Sequence, residues 1–124
     1  MKKEKTVLFS EPQQATSEGL SAFLEKYHCM VFKASSLKET LLTLQEQRID
    51  ALVIDSMLLE EDCGFISVIK GIEKDLPVII CADSNTPELE SKIRQQKIFY
   101  YHIKSFGSED LEMAVLNAIN GLPQ

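Results

Sequence analysis

The chain has no tryptophan, four prolines, five glycines and three cysteines in 124 residues. Cys29, Cys63 and Cys81 are odd in number and share no C-x-x-C spacing. Reduced, buried thiols are therefore expected, and neither a disulfide framework nor a zinc site. No G-x-G-x-x-G and no P-loop occurs, which removes the usual nucleotide-phosphate cradles. No apolar run is long enough to cross a bilayer, and Met1-Lys2-Lys3-Glu4-Lys5 precedes too short an apolar stretch for a signal peptide. Basic charge is also scarce. With 13 Lys and Arg against 19 Asp and Glu the net charge is −6 and the pI about 4.9, which argues against sequence-independent nucleic-acid binding. These absences point to a cytoplasmic protein with no membrane segment. What remains is ordinary: 44% apolar and 26% charged residues without low-complexity segments, enough for one globular domain over residues 1–124.

The run Ile49-Asp50-Ala51-Leu52-Val53-Ile54-Asp55 organises the rest. Near-continuous branched residues predict a strand buried on both faces, as in the centre of a parallel sheet. Asp55 then stands where the strand leaves the core. In open α/β sheets that edge gathers ligands and chemistry. A plain strand-end Asp that turns the chain is the competing explanation.

Around it the pattern alternates. Thr6-Val7-Leu8-Phe9 is a first strand, stopped at Ser10-Glu11-Pro12. Leu20, Phe23, Leu24 and Tyr27 recur at helical spacing over residues 13–27. Cys29-Met30-Val31-Phe32 is a second strand. Ser36-Leu37-Lys38-Glu39 is a capping box opening a helix with a stripe of Leu37, Leu41 and Leu44. After Asp55 a long acidic loop, residues 56–63 with Glu60, Glu61 and Asp62, leads past Gly64 to a helix carrying Phe65, Val68, Ile69 and Ile72. Pro77-Val78-Ile79-Ile80-Cys81 is a fourth strand, emerging at Ala82-Asp83. Thr86 and Pro87 read as N-cap and first helical residue of a mostly polar helix anchored by Leu89 and Ile93. Phe99-Tyr100-Tyr101-His102-Ile103 is a fifth strand ending at Lys104. Ser108 caps a last helix with Leu111, Val115, Ala118 and Ile119 inward, and Gly121-Leu122-Pro123 ends it. Five strands alternating with five helices predict a single doubly wound, five-stranded parallel sheet. Helices cover both faces, and the flavodoxin-like order is 2-1-3-4-5.

In that topology Glu11, Asp55, Asp83 and Lys104 share the carboxyl edge. Close carboxylates raise one another's pKa, and a Lys or a divalent cation relieves the repulsion. The site suits a hard cation with a phosphoryl group. His28 and His102 have no evident nucleophile partner and read as structural or surface residues, so a Ser/His/Asp hydrolase is unsupported.

Four blocks together resemble the receiver domain of two-component response regulators, over almost the whole chain. They are Val7-Leu8-Phe9-Ser10-Glu11-Pro12, Asp50 to Leu58 around Asp55, Pro77-Val78-Ile79-Ile80-Cys81-Ala82, and Tyr101-His102-Ile103-Lys104-Ser105-Phe106. The resemblance implies Asp55 as phosphoacceptor from a histidine kinase or phosphotransfer protein, with Lys104 as its partner. Mg²⁺ would be held by Glu11, Asp55 and the Met57 backbone carbonyl. Tyr101 matches the aromatic switch position. No enzyme activity is implied beyond self-phosphorylation and autodephosphorylation. A weak homodimer would form through the face from the fourth to the last helix, where Tyr100, Phe106, Met113 and Leu116 would supply exposed apolar contacts.

The departures are specific. Pro12 stands where the family has a direct Mg²⁺-ligating Asp, and proline offers no side-chain oxygen. Ala82 stands in place of a Thr or Ser whose hydroxyl reports phosphorylation. Ser105 replaces the Pro of a cis bond, and a non-proline cis bond costs roughly 2.5–4 kcal/mol, so a trans Lys104–Ser105 peptide is predicted. Leu59 also replaces a usual Pro. Two readings follow: a phosphorylated receiver, or a phosphorylation-independent pseudo-receiver that docks or dimerises. A flavodoxin-like ligand binder is a third, weakened by the acid and proline at Ser10-Glu11-Pro12-Gln13. The chain reads equally as a stand-alone receiver or as a fragment of a longer regulator.

Overall fold

Alternation of apolar side chains along each strand divides the molecule into two layers around one sheet. The computed structural model describes residues 4–13, 15–59, 64–83 and 87–123. Strands β1 (Lys5–Ser10), β2 (Cys29–Ala34), β3 (Ala51–Asp55), β4 (Val78–Ala82) and β5 (Tyr100–Ile103) pair in parallel, in the order β2-β1-β3-β4-β5. The predicted sheet and its strand order are therefore present. Strand β3 is buried at every residue, as a central parallel strand should be.

Even-numbered positions of the central strands point one way. Leu8, Leu52, Ile54, Val78, Ile80 and Ala82 pack with side chains from α2 (Leu37–Glu46), α3 (Ser56–Leu59), α4 (Phe65–Ile72) and α5 (Pro87–Arg94). Odd-numbered positions point the other way. Val7, Phe9, Ala51, Val53, Ile79 and Cys81 pack with α1 (Ala15–Lys26) and α6 (Glu109–Ile119). The pleat alone dictates this division, because successive side chains leave opposite faces. No helix of the described residues is long and apolar enough to cross a membrane.

Several local expectations need correction. The start of the acidic loop is a helical turn, α3, whose Leu59 is fully buried. Residues 60–63 and Thr86 lie outside the described residues, and so does Cys63. Of the apolar residues that the predicted helix carries, Val68 and Ile72 are exposed, because α4 turns Phe65, Ile66 and Ile69 inward. Cys29 is half-buried, whereas Cys81 is fully buried. Ser108 occupies the N-cap position of α6, but its hydroxyl makes no cap bond there. The Ser36 box does form: Glu39 N–H donates to Ser36 Oγ at 3.1 Å. Its carboxylate reaches back to Ser35 N–H at 2.9 Å, one residue beyond the usual partner. Helix α6 ends as expected. Gly121 takes a left-handed φ of 70°, and Leu122 N–H closes on Asn117 O at 2.8 Å, the Schellman pattern that glycine favours.

Candidate functional site

The parallel sheet delivers the ends of β1, β3, β4 and β5 to one edge. A cleft of about 670 Å³ opens there, lined by Glu11, Pro12, Asp55, Met57, Asp83 and Lys104, and also by His102, Ser108 and Leu111. Four of the predicted site residues, Glu11, Asp55, Met57 and Lys104, thus line one cleft.

Asp55 ends β3 and is 5% exposed. Its Oδ1 accepts the Met57 N–H at 2.8 Å, an Asx-type bond that bends the chain into α3. Its Oδ2 accepts from Lys104 Nζ at 2.5 Å. Lys104 also meets Asp83 Oδ1 at 3.3 Å. One ammonium therefore bridges a buried carboxylate and an exposed one, Asp83 being 66% exposed. Burial pulls the Lys104 pKa down, but hydrogen bonds and charge from Asp55 and Asp83 outweigh it and hold the ammonium above its ordinary value.

Glu11 is also buried, and its carboxylate is already occupied. Oε1 accepts the Thr16 N–H at 2.9 Å and Oε2 the Ser17 N–H at 3.1 Å. These are first-turn donors of α1, which have no partner inside the helix, and the helix dipole favours a negative charge there. Burial pushes the Glu11 pKa up. The two backbone N–H groups and Lys104 oppose that without cancelling it.

The set expected to hold Mg²⁺ is not assembled for it. Glu11 faces the α1 N-terminus, the Asp55 carboxylate is engaged by Lys104 and the Met57 N–H, and Pro12 has no oxygen to offer. Among the described residues no group of three or more His, Cys, Asp or Glu is placed to hold a metal. Mg²⁺ wants near-octahedral oxygen ligation, and these residues do not fit it.

The other predicted positions lie elsewhere. Ala82 is buried and pairs in register with Ile103. Tyr101 is not in the cleft. It faces the α5 side, 6% exposed, with its hydroxyl buried and without a hydrogen-bond partner among the described residues. The Lys104–Ser105 peptide is trans, no cis bond occurring among the described residues, and the chain runs into a 3₁₀ turn, Lys104–Phe106. On the expected partner face, Phe106 is 78% exposed and Met113 is also exposed. Tyr100 and Leu116 are not free apolar contacts: both are half-buried against the α1/α6 layer.

Two features escaped sequence reasoning. Asp83 was placed at the edge without a role, and it is the second carboxylate on Lys104. His102 is buried, and Nδ1 lies 2.8 Å from Asp110 Oδ2, which also accepts the Tyr100 hydroxyl at 2.7 Å. The available signal was parity: Tyr100 and His102 alternate on β5, and the Asp110 carboxylate sits in the first turn of the next helix.

Fold and cleft together define an open, doubly wound α/β domain with an acid–lysine cluster at the carboxyl edge of its sheet. The family model of the response regulator receiver domain matches residues 7–116, and the chain belongs to that family. Solved structures agree in fold. A response regulator from Thermotoga maritima is similar at 22% identity, covering 95% of this chain and 99% of that one, with TM-score 0.83. The signal receiver domain of an HD domain-containing protein from Pseudomonas fluorescens Pf-5 gives 17%, 96%, 97% and 0.84. A response regulator receiver domain protein from Clostridium thermocellum gives 24%, 94%, 95% and 0.79. No curated protein matches the chain.

Proposed function

We propose that this receiver domain works as a preset docking module, without phosphorylation of Asp55. The observation that carries the reading is the double engagement of the edge. Lys104 bridges Asp55 and Asp83 from within the chain, while both oxygens of Glu11 serve the α1 N-terminus. A built-in cation relieves the carboxylate repulsion that a metal would otherwise relieve. Pro12 and Ala82 add no ligand and no hydroxyl. The contact surface is the exposed pair Phe106 and Met113, toward a protein partner or a second copy in a weak homodimer. The buried thiol of Cys81, held well above its ordinary pKa by desolvation, suits a reducing, cytoplasmic setting.

A second reading keeps Asp55 as phosphoacceptor, from a histidine kinase or phosphotransfer protein. It is favoured by one observation: Asp55 lines an open cleft beside Lys104, which is able to pair an added charge of about −1.5 to −2. Acetyl phosphate with millimolar Mg²⁺ separates the two. Docking predicts an unchanged intact mass and unmoved amide resonances at residues 55–57 on adding Mg²⁺ and beryllofluoride. A phosphoryl adduct on Asp55 overturns it.

A further inference from the structure

Helix α5 has little to hold it down. Ile93 is its buried residue, Leu89 packs partly against the core, and Glu88, Glu90, Ser91, Lys92 and Arg94 are polar. Below it, Tyr101 of β5 lies in the same apolar cluster as Ile93 and Ala82. A buried hydroxyl without a partner is unfavourable, and among the described residues the Tyr101 hydroxyl has none. Its inward placement therefore has no hydrogen bond behind it, and the contacts of the ring must hold it.

Arg94 supplies such a contact. Its guanidinium carbon stands 5.2 Å from the Tyr101 ring centroid, within the range of a cation–π interaction. The guanidinium is oriented by its own helix: Arg94 Nε donates to Glu90 Oε2 at 2.6 Å, one turn earlier. With the cation over it, in one apolar cluster with Ile93, the ring is left almost wholly buried.

We infer that Glu90 and Arg94 form a latch that closes Tyr101 into the core and thereby docks α5 on β5. The latch is set at its own surface and does not depend on the Asp55–Lys104–Asp83 cluster. Tyr101 registers with Ile80. Ala82, two residues further along the same face of β4, is the side chain that stands toward the edge. Its methyl group cannot relay a hydrogen bond between the cleft and the ring. Arg94 is thus a positioning residue for Tyr101 and for α5. The inference goes beyond the docking proposal, since it concerns what fixes this face rather than what binds it.

The test is tyrosine nitration by tetranitromethane, mapped to each tyrosine, together with amide hydrogen exchange over residues 87–94. Arg94 is 55% exposed, so its replacement leaves the core composition untouched. Arg94→Ala is expected to raise Tyr101 nitration and α5 exchange roughly two- to fivefold, the population shift a surface cation–π contact supports. Exposed Tyr27 serves as the internal standard and stays constant. Arg94→Met, which keeps the aliphatic stem, should behave as Arg94→Ala, and Glu90→Gln should shift both rates in the same direction by less. Asp55→Asn should leave both rates at wild type. Wild-type rates in Arg94→Ala or Arg94→Met would overturn the latch. A rise in Asp55→Asn equal to that of Arg94→Ala would overturn its independence from the cleft.

Discussion

Glu11 reaches forward to Thr16 and Ser17, accepting both of their backbone N–H groups and closing the start of α1. Ser17 is fully buried, so no water replaces the carboxylate there. Glu11→Ala should cost about 1 kcal/mol in urea unfolding, the usual worth of an N-terminal cap. The pH dependence is more diagnostic. Burial raises the folded pKa of Glu11 above its ordinary 4.5. Its contribution to stability is therefore fully present below 4.5 and lost as pH rises through the folded value. Wild type should gain on Glu11→Gln as pH falls from 7 toward 4.5. A flat difference across that range would show that Glu11 is not desolvated.

Lys104 gives the opposite end of the titration. Its folded pKa lies above 10.5 because Asp55 and Asp83 outweigh the burial cost. The stability it contributes is present below 10.5 and disappears as pH rises through the folded value. Lys104→Met should destabilise by about 1–3 kcal/mol near neutral pH. That is less than for a wholly buried pair, since the ammonium is partly exposed. The gap between wild type and variant should hold from neutral pH to about 10 and narrow above it. A gap that widens at high pH contradicts the bridge.

The sheet was legible because its signals are local and redundant. β3 is apolar at consecutive positions, Ser36 and Glu39 sit at capping-box spacing, and Gly121-Leu122-Pro123 punctuates α6. Where the signal was local but ambiguous, the burial of single residues was not legible. Val68 and Ile72 share a helical stripe with Ile69, yet an eight-residue helix does not reveal which flank of a wide stripe meets the core. The side-chain directions at the edge were not legible. A glutamate after β1 serves a metal or the next helix equally well, and only its tertiary placement decides. Asp83 acts from a strand end and Asp110 from the following helix, so their partners depend on tertiary placement that no spacing encodes.

Tyr101→Phe removes a buried hydroxyl that bonds to nothing among the described residues. Most Tyr→Phe changes in cores lose a hydrogen bond; this one loses only a desolvation cost. The variant should be unchanged or stabilised by up to about 1 kcal/mol, read from the urea midpoint at constant m-value. A loss of more than about 1 kcal/mol would mean that the hydroxyl has a partner after all.

Asp110 joins β5 to α6 through a single oxygen shared by Tyr100 and His102. An ionised carboxylate only accepts, so His102 presents Nδ1–H to it. Burial would raise the Asp110 pKa, but the Tyr100 hydroxyl and His102 overcome it and hold it below 3.8. The stabilisation therefore persists above 3.8 and is lost as pH falls through the folded value. Tyr100, half-buried, can turn its hydroxyl to water when the carboxylate is removed. Buried His102 cannot, and it carries most of the penalty. Asp110→Ala should cost about 1–2 kcal/mol at neutral pH. In a His102→Leu background the same change should cost about 1 kcal/mol less, a coupling typical of directly bonded side chains. Equal costs in the two backgrounds would mean that His102 and Asp110 do not interact in solution, and α6 would then be held to β5 by its apolar face alone.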